Sequence, residues 1–410
     1  MSKIKIVFVD DEVNILFALK RTLYKMHETW EMAFFDSAKK AIEYMHQNEV
    51  HFLVTDMRMP EMSGLELLKY SYEHFPKMVR IILSGQTSKK DIIQSVGLAH
   101  QFFSKPTDTE QLIELIERIT LIRGILNNND LVEVITNMKS LPTLPALYIQ
   151  LREMLNDKES SMKDIALLIS GDIGLCSKIL QLVNSSFFVV VKRVTDIQQA
   201  ISLLGIDTIR DLMLSIHLFE QVNSELLTQF HLNELWIHSL SVATIAKYIA
   251  HDLSLSKADS DACYIAGLLH DIGRLVLVKQ LPQSYIDVLH LTKDKGLSIS
   301  AAEFNVFGIS HSEIAAYLSS IWGFSQSVIM SVFLHHNPAL FNDRTISVAF
   351  VVHLANYIHH VSQSVKNLKY FIDIDKTELD KELVNELGLQ EKLNEYIEYF
   401  NANPVKVDNL

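Results

Sequence analysis

The chain has 410 residues, enough for two or three domains with proper cores. Hydrophobic residues make up 48% while Gly and Pro number only 13 and 8, which excludes collagen-like or low-complexity character. The formal net charge is −12 with Lys and Arg scattered, so no basic stripe stands out and no direct DNA binding is expected.

The first elements alternate between strand and helix. Residues 4–9 (IKIVFV) read as a buried parallel strand that ends in Asp10-Asp11-Glu12, and a helix pattern follows over roughly 14–26. A second strand at 30–34 precedes a helix at 37–47, and a third, 52–55, runs directly into Asp56. A helix at 64–73 follows, then a strand at 79–83 ending at Ser84. A helix at 88–96, a strand at 101–103, Lys105-Pro106 and a helix from Thr109 complete the unit. This order predicts an α/β sandwich around a five-stranded parallel sheet, with polar residues at the C-terminal strand ends where such sheets place their sites.

Beyond about residue 130 strand-like alternation nearly vanishes. Helical patterns cover 131–138, 145–155, 162–169, 174–183, 196–204, 207–221, 230–252, 257–269, 283–293, 298–306, 311–320, 325–333 and 345–361. The tail from 371 carries ten acidic and four basic side chains. It nevertheless keeps an apolar stripe (Leu379, Leu383, Leu387, Leu393, Ile397, Phe400), which predicts packed terminal helices rather than a free acidic arm. The expected organisation is one domain over 1–120, a helical linker at 121–133 and an all-α domain over 134–400, with 371–400 as terminal helices. Cys176 and Cys263 are the only cysteines, so neither a disulfide framework nor a thiolate metal site is expected. The N-terminus shows no secretory pattern and no stretch reaches about 18 apolar residues, so the expected location is the cytoplasm, away from membranes.

Asp10, Asp11 and Asp56 are carboxylates at the ends of strands expected to lie side by side. Gathering three like charges is costly unless a hard cation neutralises them, and Mg²⁺ suits an all-oxygen donor set. Ser84 and Lys105 add a hydroxyl and an ammonium at the next strand ends. Together they describe a site where one carboxylate attacks a phosphoryl donor while the cations balance charge on the transferring oxygens. Taken singly, an Asp pair after a strand is often just a turn or helix cap and a Lys-Pro says little; the joint pattern carries the signal.

These segments (VFVDDE, VTDMRMPEMSGLELL, ILSG and FFSKP) resemble the response-regulator receiver family over roughly 3–120. The resemblance implies a flavodoxin-like strand order and Asp56 as the phospho-acceptor. It also implies Mg²⁺ held by Asp10, Asp11, Asp56 and the Met57 backbone carbonyl, and phosphoryl sensing by Ser84 and Lys105. A sensor histidine kinase is the implied partner. The aromatic switch position carries Phe102 where the family often has Tyr, and the face around the fourth and fifth strands is expected to carry the signal. A homodimer through that face is allowed.

The second half is rich in helix-borne histidines: His238, His270-Asp271, His311, His335 and His336, followed by Asn356. Such residues can converge in a bundle core to bind a divalent metal pair, or they can be hydrogen-bonded core histidines. SLPTLP, ILQLVNSSFF, AISLLG, LWIHSLSVA, AGLLHDIGRLVL and GISHSEIAAYLSSIWGFSQSVIMSVFLHHNP resemble the HDOD family, a relative of the HD and HD-GYP phosphohydrolases. By that resemblance His238, His270, Asp271, His311, His335 and His336 match metal ligands for Fe, Mn or Mg. Two features depart from the hydrolases: Asn337-Pro338-Ala339-Leu340 replaces a Gly-Tyr-Pro loop, and Asn356 stands where a late aspartate is expected. The resemblance therefore implies a non-catalytic output module that contacts a downstream signalling protein, with ties to cyclic-di-GMP pathways. The alternatives are a metal-dependent cyclic-di-GMP phosphodiesterase and a nucleotide-binding sensor without turnover.

Overall fold

The computed structural model describes residues 3–85, 95, 97–126, 129–138, 142–143, 150–151, 153–155, 160–184, 194–206, 208–209, 220–221, 224–340, 345–362 and 378–405. Five parallel strands open the chain: β1 (Ile4–Val9), β2 (Trp30–Phe35), β3 (Phe52–Asp56), β4 (Val79–Ser84) and β5 (Gln101–Ser104), in the order β2-β1-β3-β4-β5. All five lie where the apolar runs place them, because strands covered on both faces read as continuous hydrophobic stretches. Helices α1 (Val13–Thr22), α2 (Ala38–Gln47), α3 (Gly64–His74) and α4 (Thr109–Ile125) flank the sheet. The helix expected over 88–96 lies outside the described residues except for Ser95.

Sequence signals fix several boundaries. Ser63 and Glu66 form a reciprocal capping box at the start of α3, and the Asp108 carboxylate accepts from the amides of Glu110 and Gln111 at the start of α4. Within the expected linker 121–133, α4 continues to Ile125 and α5 (Asn129–Thr136) begins almost at once, with Leu126, Leu131 and Val132 buried.

The remainder is helical: α6 (Met162–Ser170), α7 (Ile173–Val183), α8 (Ile197–Leu204), α9 (Ser224–Gln229), α10 (Leu232–Asp252), α11 (Lys257–Leu269), α12 (Ile272–Gln280), α13 (Pro282–Lys295), α14 (Ile299–Phe307), α15 (His311–Ile321), α16 (Gln326–Leu334), α17 (Val348–Val361), α18 (Lys381–Glu386) and α19 (Gln390–Ala402). Helix α12 was not expected. Ile272 through Val278 are all buried, so no polar face marks its helical period in the sequence. A two-residue parallel pairing of Pro142–Thr143 with Glu220–Gln221 is a second departure from an all-helical reading. The SLPTLP and NSSFF motifs and the helix expected over 207–221 lie largely outside the described residues. In the described part of the tail, Leu383, Leu393 and Phe400 are buried.

The α/β unit and the helical region share one continuous apolar core, in which α4 lies along α15. Polar contacts seal the seam at the β4–β5 edge. The Gln101 amide donates to the Ile321 carbonyl (3.0 Å), and Gln181 donates to the His100 carbonyl (3.2 Å). His100 Nε2 donates to the Thr136 carbonyl (2.7 Å), while Thr136 Oγ1 pairs with the Tyr317 hydroxyl (3.0 Å). Among the described residues no single helix is long and apolar enough to cross a membrane.

Candidate functional site

Two constellations stand out, one at each side of the seam. In the α/β unit, β1 ends at Asp10 and β3 at Asp56, and the Lys105 ammonium sits between them, 2.8 Å from Asp10 Oδ2 and 2.6 Å from Asp56 Oδ1. The backbone amide of Arg58 donates to Asp56 Oδ2 (2.7 Å), and that of Glu12 to Asp10 Oδ1 (3.0 Å). Asp10 and Asp56 are buried. Burial pushes the Asp10 carboxyl above its ordinary range, against the pull of Lys105. Burial also works against the Lys105 charge, yet its bonds to Asp10 and Asp56 hold the ammonium above its usual value.

The peptide bond between Lys105 and Pro106 is cis. Ser84 ends β4, with its hydroxyl buried and unbonded. Gly64 is required by close approach: a Cβ there would lie 1.9 Å from the Asp56 carbonyl oxygen. Its amide donates to the Met57 carbonyl (3.0 Å), which keeps a second lone pair. The oxygen-only donors of Asp10, Asp11, Asp56 and Met57 fit a hard dication such as Mg²⁺.

The second constellation forms where α10, α11, α12, α15, α16 and α17 meet. It brings together all six residues expected from the sequence. His238 projects from α10, His270-Asp271 from the α11–α12 corner, His311 from the first turn of α15, and His335-His336 from the end of α16. The Asp271 carboxylate divides the group. Its Oδ1 faces His311 Nε2 (3.3 Å) and His335 Nε2 (3.7 Å); its Oδ2 faces His270 Nε2 (3.5 Å) and His238 Nε2 (3.6 Å). Arg274 reaches the same Oδ2 at 3.1 Å. Burial opposes the Asp271 charge, but these imidazoles and Arg274 hold it well below the ordinary range. Burial and neighbouring imidazoles depress His238 and His335.

The ring nitrogens facing outward are fixed by backbone and carboxylate partners. His270 Nδ1 donates to the Gly267 carbonyl and His335 Nδ1 to the Val332 carbonyl, each at 2.7 Å. His311 Nδ1 bonds the fully buried Glu303 at 2.6 Å, and the same oxygen accepts the His311 amide at 2.8 Å. Burial would lower His311, but Glu303 raises it to about 9. With Nδ1 committed, each Nε2 points inward, the arrangement in which second partners orient metal-binding imidazoles. His311 Nε2 and His336 Nε2 lie 3.0 Å apart, close enough that a shared proton or cation must separate them.

The sequence reading missed Glu303, Arg274, His353, His359 and His360. Arg274 sits one helical turn after Asp271, and His359 and His360 one turn after Asn356, so helical spacing was the available signal. His353 accepts the Asp380 amide (3.1 Å) and donates to the His335 carbonyl (2.7 Å), tying the tail to the cluster. Asn356 is fully buried on α17.

Residues 6–117 match the response regulator receiver domain family, and residues 141–338 match the HDOD domain family. An uncharacterized protein of Treponema pallidum is 27% identical over 202 residues, 48% of this chain and 38% of that protein. The hydrogenase transcriptional regulatory protein HoxA of Cupriavidus necator is 34% identical over 122 residues, 29% of this chain and 25% of its own length. The chain thus spans well under half the length of these curated relatives. Among solved structures, the MmoQ response regulator of Methylococcus capsulatus is similar at 24% identity and a TM-score of 0.44, covering 60% of this chain and 98% of that one. An HDOD domain protein of Geobacter sulfurreducens with unknown function is similar at 21% identity and a TM-score of 0.33, covering 71% and 99%. The chain therefore carries a response-regulator receiver domain at its N-terminal side followed by an HDOD domain.

Proposed function

We propose that this chain is a two-component switch in which a sensor histidine kinase phosphorylates Asp56, and the receiver's β4–β5 edge passes the change to an HDOD module that acts by protein contact. The observation that carries this reading is the position of Lys105, bonded to both Asp10 and Asp56 in a water-poor pocket. Transfer of a phosphoryl group to an Asp56 oxygen brings new anionic oxygens into that pocket. Lys105 is placed to follow the new charge, and the Ser84 hydroxyl can donate to it. Mg²⁺ held by Asp10, Asp11, Asp56 and the Met57 carbonyl would neutralise the incoming oxygens. The contacts of His100 and Gln101 with Thr136 and Ile321 support direct transmission to the helical region.

Incubating the chain with acetyl phosphate and Mg²⁺ tests the acceptor. The expected result is one added phosphoryl group by intact mass, lost on Asp56→Asn (D56N). Labelling that survives in D56N sinks the assignment. A pull-down comparing phosphorylated and D56N protein then reads the output, and identical partner sets argue against gating.

A second reading has its own support: Asp271 presents one carboxylate oxygen to each of two imidazole pairs, as a bridging ligand between two metals would. That geometry suits a metal-dependent phosphodiesterase, whereas the neutral Asn356 leaves it one carboxylate short of the hydrolases it resembles. Metal content of the purified protein and turnover of cyclic di-GMP with Mn²⁺ or Fe²⁺ decide between the readings.

A further inference from the structure

The proton positions on the α17 side of the histidine cluster can be deduced one ring at a time. His270 Nδ1 donates to a carbonyl, so in the neutral ring its Nε2 carries a lone pair. His238 Nε2 lies 3.1 Å from that lone pair and must be the donor, which leaves His238 Nδ1 as an acceptor. His359 Nδ1, 2.9 Å away, therefore donates to His238. On the neighbouring residue, His360 Nδ1 donates to the Asn356 carbonyl (2.8 Å), so His360 Nε2 is a second lone pair. That Nε2 is buried and has no hydrogen-bond partner. The His238 ring lies 4.8 Å from that of His359 and 5.1 Å from that of His360. One ligand nitrogen from each of the three lies within 4.8 Å of the others.

A buried imidazole lone pair without a donor is costly, and here it lies beside the hydrogen-bonded rings of His238 and His359. We infer that His238 Nδ1, His359 Nδ1 and His360 Nε2 form a three-imidazole metal site, separate from the carboxylate-centred group of Asp271, His311, His335 and His336. The two sets share no ligand residue, although the other nitrogen of His238, Nε2, lies 3.6 Å from Asp271 Oδ2. His270 stands between them as the acceptor of the His238 Nε2 proton, which keeps His238 turned toward α17. Binding requires the neutral His359 ring to change tautomer: the proton it shares with His238 leaves Nδ1 and the ring is reprotonated on Nε2, so that Nδ1 is free for the metal. Tetrahedral coordination at about 2.1 Å spaces nitrogens on the order of 3.4 Å, so the 2.9 Å pair opens by about half an ångström. An all-nitrogen set with no carboxylate selects a borderline dication of the Zn²⁺, Co²⁺ or Ni²⁺ kind over Mg²⁺ or Mn²⁺. The Asp271 group, with one carboxylate among three imidazoles, tolerates Mn²⁺ or Fe²⁺ better than an all-nitrogen set does. This site does not depend on the signalling reading above.

Full-length protein stripped with a chelator and titrated with Co²⁺, followed by its visible absorption, tests the site. Wild type is expected to bind a Co²⁺ equivalent that His360→Ala (H360A) weakens by at least about tenfold and that His336→Ala (H336A) retains, distinct from any equivalent at the Asp271 group, which H336A weakens. His360 is half-buried, so H360A should keep its fold, checked by circular dichroism; if it does not, His360→Gln replaces it. The proposal is overturned if wild type takes up no Co²⁺. It is equally overturned if the folded His360 variant matches wild type, or if H336A removes the equivalent that H360A was expected to remove.

Discussion

The Gln101 side-chain amide donates to the backbone carbonyl of Ile321, tying the last receiver strand to the last residue of α15. The first residue of that helix is His311, inside the histidine cluster. Eleven residues of helix, about 15 Å, thus join the receiver edge to the Asp271 site. The Tyr317 hydroxyl pins its middle to Thr136, and the Ser310–Glu313 capping box fixes its start. A rod held at both ends and the middle moves as a unit, which gives receiver and cluster a physical route for coupling.

Gln101→Ala should release the C-terminal end of this rod. The lost bond is worth about 1 kcal/mol, and hydrogen exchange should quicken at Trp322 to Phe324 while the receiver strands β1 and β3 stay protected. Gly323 has φ of 77°, and a Cβ there would lie 2.6 Å from the Gln101 amide nitrogen. Gly323→Ala adds a strained backbone and a clash, so it should destabilise more than Gln101→Ala in urea unfolding.

His100 should make the seam sensitive to acid. Its Nδ1 accepts the Arg80 amide (2.9 Å) while its Nε2 donates to Thr136, a pattern that only the neutral ring can complete. Burial, with Arg80 and Lys178 nearby, pushes it well below its ordinary value; Lys178 itself is brought down to about 7 by burial. Because the folded pKa is depressed, the contribution is fully present above about pH 6.5 and is lost as pH falls from there toward the folded value. The expected slope is up to about 1.4 kcal/mol per pH unit. Other buried histidines add their own slopes, so the measurement is the difference between wild type and His100→Gln in urea unfolding at pH 7 and 5.5. A difference that does not change with pH refutes the assignment.

Two glycines, one beside each constellation, should prove intolerant for the same steric reason. A Cβ on Gly64 meets the Asp56 carbonyl oxygen, and one on Gly273 would lie 2.1 Å from the His311 carbonyl oxygen. Both obstacles are backbone and cannot swing aside. Gly64→Ala should cost about 1–3 kcal/mol and slow phosphoryl uptake; Gly273→Ala should cost as much and weaken metal binding at the Asp271 group. Each variant should leave the other site's assay near wild type.

The contrast between these sites shows where sequence reading stops. Asp10, Asp56, Ser84 and Lys105 were legible because each follows an apolar run, and a parallel sheet brings all strand ends to one edge. His270-Asp271 and His335-His336 were legible through motif resemblance. Glu303, by contrast, lies in the ordinary helical stretch of α14, and only packing of α14 beneath the start of α15 turns it inward. His359 and His360 were hidden for a related reason: α17 is buried nearly all round, so no polar face separates a ligand from a core residue.

Glu303 supplies the sharpest test of how the cluster is held. One of its carboxylate oxygens accepts both the backbone amide and Nδ1 of His311, and the other accepts the Tyr285 hydroxyl at 3.1 Å. The side chain therefore sets the position and the tautomer of His311 without itself facing Asp271. Glu303→Gln keeps the shape and one acceptor oxygen but removes the charge that orients the imidazole. Metal affinity at the Asp271 group should fall by roughly 10–100-fold, measured by chelator competition, while the three-imidazole site is unchanged. Glu303→Ala should go further, because a buried amide and a buried hydroxyl then lose their acceptor, at about 1–3 kcal/mol each. If Glu303→Gln leaves affinity unaltered while Glu303→Ala only destabilises the fold, Glu303 is a packing residue and His311 is oriented by its helix alone.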